Sequence, residues 1–221
     1  MQLTIKSDER EADVTLNIND ERRELNNLLS MLDSNAVSEL ELSDLKGDRI
    51  PRAITGIAGL HTLTFRRCHA LRGIPSELKR CAGLKKLSFI QCADFYDLRG
   101  IASLGALESL HVSGCDCFDT LPDEIRNMSN LKAFELSCCT SVAWLDLDIL
   151  PESLRLLDIH GDVNAEFDDS AADHLHLASV QIQDETRIAS LGDAPLIHNI
   201  ASLLRKSIQP STVGSMDGGG D

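Results

Sequence analysis

Cysteine is the residue type with the widest chemical capability in this chain, because a thiolate can act as a nucleophile or as a metal ligand. The sequence has seven cysteines, and four of them recur at intervals of 24, 23 and 24 residues: Cys68, Cys92, Cys115 and Cys139. No two cysteines have the Cys-x-x-Cys spacing that is typical of zinc sites. The equal intervals indicate instead that the four thiols share one position of a repeating unit, where we expect them to be buried, reduced and unreactive.

Two other groups of side chains could bind metal ions. His174 and His176 would share one face of a strand, but no third ligand follows them at a regular spacing. Asp168, Asp169 and Asp173 could bind calcium, but they lack the ligand spacing of a calcium-binding loop. We therefore expect no metal site, no cofactor and no catalytic residues, and we predict that the chain is not an enzyme.

The elements that carry these residues follow from a second, apolar periodicity. Six leucines stand 24, 23, 24, 23 and 23 residues apart, and apolar side chains follow each of them after three and after five residues. The leucines are Leu60, Leu84, Leu107, Leu131, Leu154 and Leu177. The alternation predicts one short strand in each unit, and the equal unit length predicts stacking. The expected fold is an α/β solenoid, shaped as a horseshoe, with a parallel β-sheet on its concave side and helical caps at both ends.

The same pattern divides the chain into four segments. Residues 1–36 are expected to form an N-terminal cap of short strands and a helix, because a terminal repeat would otherwise expose its core. Residues 37–184 hold about six to seven repeats of 23 to 24 residues. Residues 185–208 are predicted to form a C-terminal capping helix, and residues 209–221, rich in glycine and serine, a disordered tail or linker.

The concave face is the surface most suited to binding, because the positions between the apolar residues of each strand point to it. Basic residues are frequent there on the second and third repeats, although the net charge of the chain is −14. We predict a partner-binding site on this face, with a protein partner that carries an acidic surface. The predicted site residues are Arg66, Arg67, Lys85, Lys86, His111, Lys132, Glu135, Arg155, Asp158 and His160.

The charge also excludes some classes of partner. A chain at −14 lacks the phosphate-neutralising surface that nucleic acids require, and it would be repelled by an anionic membrane. No apolar run reaches membrane-spanning length, and the first residues lack the apolar core of a secretory signal. We expect a cytoplasmic monomer that binds neither nucleic acid nor membrane.

The span from Val37 to Ile182 resembles the leucine-rich repeat superfamily, on the line Leu-x-x-Leu-x-Leu-x-x-Cys. The likeness to its longer form, Leu-x-x-Leu-x-Leu-x-x-Cys-x-x-Leu-x-x-[Leu/Ile]-Pro-x-x-[Leu/Ile], is carried best by Leu63–Leu78 and Leu110–Ile125. This form resembles the repeats of plant intracellular immune receptors and of type III secreted effectors of plant-associated bacteria. The segment Cys115–Cys117 is superficially similar to the Cys-x-Asp nucleophile of bacterial ubiquitin ligases, but Cys115 belongs to the repeating position and is predicted to be structural.

The resemblance implies a protein–protein interaction module that binds its partner on the concave face. It is also compatible with a bacterial effector that acts in virulence inside a host cell, secreted without a cleaved signal peptide. The alternative is the substrate-recognition part of a ubiquitin ligase whose catalytic domain is absent from this sequence.

Overall fold

The computed structural model of the protein describes residues 2–7, 10–17, 27, 30, 37–142, 144–160, 166–167 and 179–182. Its regular elements are short strands separated by single turns of 3₁₀ helix. The strands are β1 Gln2–Ser7, β2 Arg10–Asn17, β3 Glu39–Ser43, β4 Thr62–Arg66, β5 Lys86–Ile90, β6 Ser109–Ser113, β7 Ala133–Ser137, β8 Trp144–Leu145, β9 Leu156–His160, β10 Glu166–Phe167 and β11 Ser179–Ile182. The 3₁₀ helices are Arg52–Gly56, Ser76–Arg80, Ile101–Ser103, Asp123–Asn127 and Leu147–Ile149.

One sheet contains the repeats. Among the described residues it has nine strands, in the order β11-β9-β7-β6-β5-β4-β3-β1-β2, and the strands from β3 to β11 run parallel. Equivalent repeat positions are direct neighbours: Leu40, Leu63, Leu87, Leu110, Phe134 and Leu157 follow one another across the sheet. The predicted stacking of equal units is therefore confirmed over these strands. A short parallel pair, β8 with β10, lies apart from this sheet.

The core lies on one side of this sheet and is continuous along the stack. The first two apolar positions of each strand and the leucine before the strand are buried, with exposed fractions of 3% or less from Leu40 to Ile159. Four phenylalanine rings also form a stacked series, with centroid distances of 5.4 Å for Phe65–Phe89, 3.9 Å for Phe89–Phe95 and 6.3 Å for Phe95–Phe118. Each repeat therefore contributes its apolar side chains to the core of its neighbours, which a single repeat could not bury alone.

The four repeating cysteines lie in the turn that follows each strand, and all are fully buried. Each Sγ donates to a carbonyl oxygen of the strand one repeat earlier. Cys68 donates to Leu42 of β3 at 3.3 Å, and Cys92 donates to Phe65 of β4 at 3.6 Å. Hydrogen bonding with Cys115 and burial together raise the pKa of Cys92 to about 11, and burial raises the pKa of Cys139 to about 11. The cysteine column is thus part of the core, as predicted, and a protonated thiol there is a poor nucleophile.

The residue before each of these cysteines is left-handed, and so is Asp44, which stands at the equivalent position before Leu45. Arg67, Gln91, Gly114, Cys138 and Asp44 have φ between 50° and 59°. Each of their N–H groups donates to the last carbonyl of the next strand, for example Gln91 to Ser113 at 2.7 Å. The strained backbone of four non-glycine residues is therefore compensated by a hydrogen bond that joins each turn to the next repeat.

Proline begins several of the return segments on the other side of the core. Pro51, Pro75 and Pro122 each precede a 3₁₀ helix, and Ile54, Leu78 and Ile125 then enter the core with no exposed surface. The segments that follow Pro75 and Pro122 are 3₁₀ helix throughout. Among the described residues, no helix has the length and apolar character that crossing a bilayer requires.

The predicted helical caps fall mostly on residues that the structure does not describe. At the N-terminus, β1 pairs antiparallel with β3 and with β2, where the sequence predicted short strands. Asn27 and Ser30 are helical, and Ser30 Oγ donates to the Asn27 carbonyl at 2.7 Å. The rest of that helix, the C-terminal helix of residues 185–208, the tail, and His174 and His176 lie outside the described residues.

Candidate partner-binding face

The candidate binding face is the side of the parallel sheet opposite the core, which is called here the concave face. Strand residues alternate in burial: on β4, for example, Leu63 and Phe65 are buried, whereas Thr62, Thr64 and Arg66 are half-buried. The same alternation holds on β5, β6 and β9. Pleating therefore turns three side chains of each strand away from the core.

The register arranges these side chains in rows across the strands, each row being one repeat position. The middle row contains Glu41, Thr64, Ser88, His111, Glu135 and Asp158, and the last row contains Ser43, Arg66, Ile90, Ser113, Ser137 and His160. In parallel strands about 5 Å apart, members of one row are within reach of each other. The face therefore presents a nearly continuous polar surface over six strands.

The two predicted arginines are held by carboxylates of the preceding repeat. Arg66 donates from Nε to Glu41 Oε1 at 2.9 Å and from Nη2 to Oε2 at 3.3 Å, and Arg67 makes the same two-pronged contact with Asp44 at 2.9 and 2.9 Å. Hydrogen bonds from Arg67 lower the pKa of Asp44. Burial would raise the pKa of Glu41, but the hydrogen bonds from Arg66 and Ser43 outweigh it and lower the pKa. Both guanidinium groups are thus neutralised within the chain.

The predicted lysines lie at the edge where the strands begin. Lys132 Nζ is 2.7 Å from Glu108 Oε2, and Lys85 Nζ is 3.6 Å from Glu108 Oε1. Arg155 donates instead to the carbonyl oxygens of Glu152 and Leu154, at 2.7 and 2.8 Å. Lys86 is exposed, and no carboxylate of the described residues lies within 4.0 Å of it. The predicted basic cluster is therefore a mixed ion-pair surface from which Lys86 stands apart.

The remaining four predicted residues come together at the other end of the face, on β6, β7 and β9. His160 Nδ1 lies 3.1 Å from Asp158 Oδ1, and His111 Nε2 lies 3.4 Å from Glu135 Oε1. Ligand atoms of Glu135, Asp158 and His160 all lie within 4.8 Å of one another. The structure thus unites two imidazoles and two carboxylates in a cluster that we call the histidine–carboxylate cluster.

His111 is the most constrained member of this cluster. Its Nε2 atom is buried, and although Glu135 Oε1 lies 3.4 Å away, Nε2 makes no well-formed hydrogen bond with any described residue. Burial lowers the pKa of His111, and the neighbouring His160 and Arg66 act in the same direction, against the attraction of Glu135 and Asp158. The imidazole is therefore held in its neutral form more readily than a free histidine, so that one nitrogen offers a lone pair.

The prediction from the sequence identified the residues of this face but not their grouping. It did not include Glu41, Asp44 and Glu108 in the site, although these carboxylates hold the arginines and lysines. The signal was present, since each pair is separated by about one repeat: 25 residues for Arg66 and Glu41, and 24 for Lys132 and Glu108. The same spacing connects His111, Glu135 and Asp158, which are direct neighbours on adjacent strands.

Comparison with known proteins gives partial likenesses. Over 122 residues, 55% of this chain and 8% of the relative, the chain is 25% identical to the Arabidopsis thaliana protein SUPPRESSOR OF npr1-1, CONSTITUTIVE 1. Over 80 residues, 36% of this chain and 6% of the relative, it is 32% identical to the Arabidopsis thaliana disease resistance-like protein DSC1. A solved leucine-rich repeat protein of Leptospira interrogans aligns with 65% of this chain and 50% of its own, at 16% identity and a TM-score of 0.33. No family model matches the chain.

The chain spans less than a tenth of the length of either plant relative. The similarity therefore concerns one region of those proteins, and the assignment depends on this chain's own sequence and geometry. Leucines recur every 23 or 24 residues, and every described unit places its strand beside that of the preceding unit, in the same register. The repeated line and the parallel strands that it forms give this chain the fold of a leucine-rich repeat solenoid.

Proposed function

We propose that this chain is a non-enzymatic recognition module that binds a partner protein on its concave face. The observation that carries the proposal is the row arrangement of polar side chains over six parallel strands in unbroken register. Such a surface supplies many alternating donors and acceptors at fixed spacing. Solenoid repeats are known to use extended concave surfaces of this kind for binding.

The expected charge of the partner depends on which cations of the concave face are not already paired with carboxylates of the chain. Arg66 and Arg67 are already satisfied by internal carboxylates, so an acidic partner would have to compete for them. Lys86 is the cation most open to such a partner, and Lys85 is paired with Glu108 at the longer distance of 3.6 Å. We therefore keep the proposal of an acidic partner surface, but centre it on the two lysines at the start of β5.

The biological setting is part of the proposal. One plant relative carries the name disease resistance-like protein, which supports a role in an interaction between a plant and a microbe. We propose a monomeric effector that acts in the cytoplasm of a host cell. The alternative of a ubiquitin-ligase recognition part has no separate observation in its favour among the described residues.

A steric block on the concave face tests the function. Ser88 is half-buried in the middle row of β5, so Ser88→Arg places a long charged side chain in the centre of the proposed interface. Ser76→Arg makes the same chemical change on an exposed residue of the outer 3₁₀ helix. We expect proteins captured from plant lysate by the unchanged chain to be lost with Ser88→Arg and kept with Ser76→Arg, as measured by quantitative mass spectrometry.

The controls separate lost binding from lost fold. Both variants should keep the far-UV circular dichroism spectrum and the unfolding midpoint of the unchanged chain. If two correctly folded variants capture the same proteins in the same amounts, the concave face is not the binding surface and the proposal fails.

A further inference from the structure

The histidine–carboxylate cluster combines features that a polar surface patch does not need. Glu135 and Asp158 are direct cross-strand partners, so two carboxylates lie side by side on adjacent strands. Like charges in directly opposed positions destabilise a sheet. His160 and His111 border this pair, and the buried Nε2 of His111 makes no well-formed hydrogen bond with any described residue. A cation bound between these groups would reduce the repulsion between the two carboxylates. It would also give the lone pair of His111 Nε2 a partner.

We propose that Glu135, Asp158 and His160, with His111 as a fourth ligand, form a binding site for a divalent transition-metal ion of the zinc type. The three ligand atoms of Glu135, Asp158 and His160 lie within 4.8 Å of one another. In a tetrahedral site with bonds of about 2.0–2.2 Å, two ligand atoms of one zinc ion lie about 3.3–3.6 Å apart, so the three atoms must move closer by roughly 1 Å. The half-buried side chains therefore need only small rotations on strands whose backbones are already in register.

The donor set determines the class of metal. Imidazole nitrogen together with carboxylate oxygen suits zinc and its first-row neighbours, whereas calcium and magnesium prefer oxygen ligands throughout. Two imidazoles and two carboxylates make four ligands, the number that zinc takes in a tetrahedral site. This assignment departs from the sequence-based expectation of no metal site, which considered the cysteines, the His174–His176 pair and the acidic residues between 168 and 173, but not this cluster.

The position of the site on the concave face gives it a consequence for binding. A carboxylate or imidazole from a partner can enter the coordination of a metal that is half-exposed, by adding a ligand or by displacing one of the four. The metal test does not depend on the proposed function, because it uses the chain and the metal ion alone.

The test is calorimetric titration of the full chain, freed of metal with a chelator, with Zn²⁺ and separately with Ca²⁺. We expect one Zn²⁺ per chain, an upward shift of the unfolding midpoint on addition of Zn²⁺, and no comparable response to Ca²⁺. The single changes Glu135→Gln, Asp158→Asn and His160→Gln should each weaken Zn²⁺ binding by more than about tenfold. Three separate conservative variants keep the test valid if one of them fails to fold.

Matched controls remove other side chains that are able to bind Zn²⁺. His61→Gln changes an exposed histidine at the edge of the same face, and Cys117→Ser with Cys138→Ser removes the two exposed thiols. His174→Gln with His176→Gln removes the histidine pair. Zn²⁺ affinity should be unchanged in all of them. Absence of stoichiometric Zn²⁺ binding, equal binding of Ca²⁺, or binding that persists in the cluster variants and falls in a control would overturn the proposal.

Discussion

Replacement of Phe89 by leucine tests whether stacked rings couple neighbouring repeats. Phe89 is fully buried and stacks on Phe65 at 5.4 Å and on Phe95 at 3.9 Å. Phe134 is equally buried, but it takes part in none of the ring stacks that the described residues form. Phe134→Leu is therefore a matched control, which changes a buried phenylalanine of a nearby strand without removing a ring pair.

The expected difference follows from the number of ring pairs lost. Both substitutions remove the same atoms from a fully buried side chain, so the cost of lost burial is similar in the two variants. Each stacked aromatic pair contributes about 0.5–1.5 kcal/mol beyond burial. Since Phe89 takes part in two pairs, Phe89→Leu should lower the free energy of unfolding by about 1–3 kcal/mol more than Phe134→Leu.

Urea unfolding followed by far-UV circular dichroism measures both free energies. The comparison holds if the dependence of the free energy on urea concentration is the same for all three proteins, because that slope reports the surface exposed. Equal destabilisation by Phe89→Leu and Phe134→Leu would refute the reasoning, since burial alone would then account for the whole effect.

Three further predictions concern a left-handed turn, the thiols and an ion pair. Gly114→Ala should destabilise the fold by about 1 kcal/mol in urea unfolding, because Gly114 has φ of 59° and an added Cβ would lie 3.3 Å from a Gln91 side-chain atom. The control is Gly105→Ala, which should be nearly neutral because an added Cβ would meet no atom within 4 Å there. In the native chain, iodoacetamide should modify the exposed Cys117 and Cys138 and leave the buried cysteine column unmodified, as read by mass spectrometry. The lowered pKa of Asp44 means that its ionised form stabilises the fold. Asp44→Asn should therefore lower the free energy of unfolding at about pH 7, and its difference from the unchanged chain should shrink as the pH falls through that lowered pKa.

The order and register of the repeats could be predicted because one physical rule produces both. Each unit of 23 or 24 residues must bury the same leucine positions, and strands that stack in parallel bring those positions together. The buried pairs Leu87–Leu110 and Leu110–Phe134 follow from that rule alone. The cysteine column followed from it too, since its spacing is that of the leucines.

The charges of the concave face were harder to predict because the period gives a position and not a rotamer. A long side chain such as that of Arg66 can extend into solvent, towards a partner, or back to Glu41 one repeat earlier, and the spacing alone does not decide among these. The left-handed backbone at Arg67 and Gln91 has no sequence signal either, because glycine and asparagine are the residues that normally mark it. In this chain the surrounding hydrogen bonds impose that conformation on other residue types.

The central claim is that the concave face binds a partner protein, and site-specific photocrosslinking tests it most directly. Ser88→benzoylphenylalanine places the crosslinker in the middle row of β5, and Ser76→benzoylphenylalanine places it on the outer 3₁₀ helix. Illumination in plant lysate should give a discrete crosslinked protein from position 88 and none from position 76. A partner that crosslinks from position 76 and not from position 88 would contradict the claim.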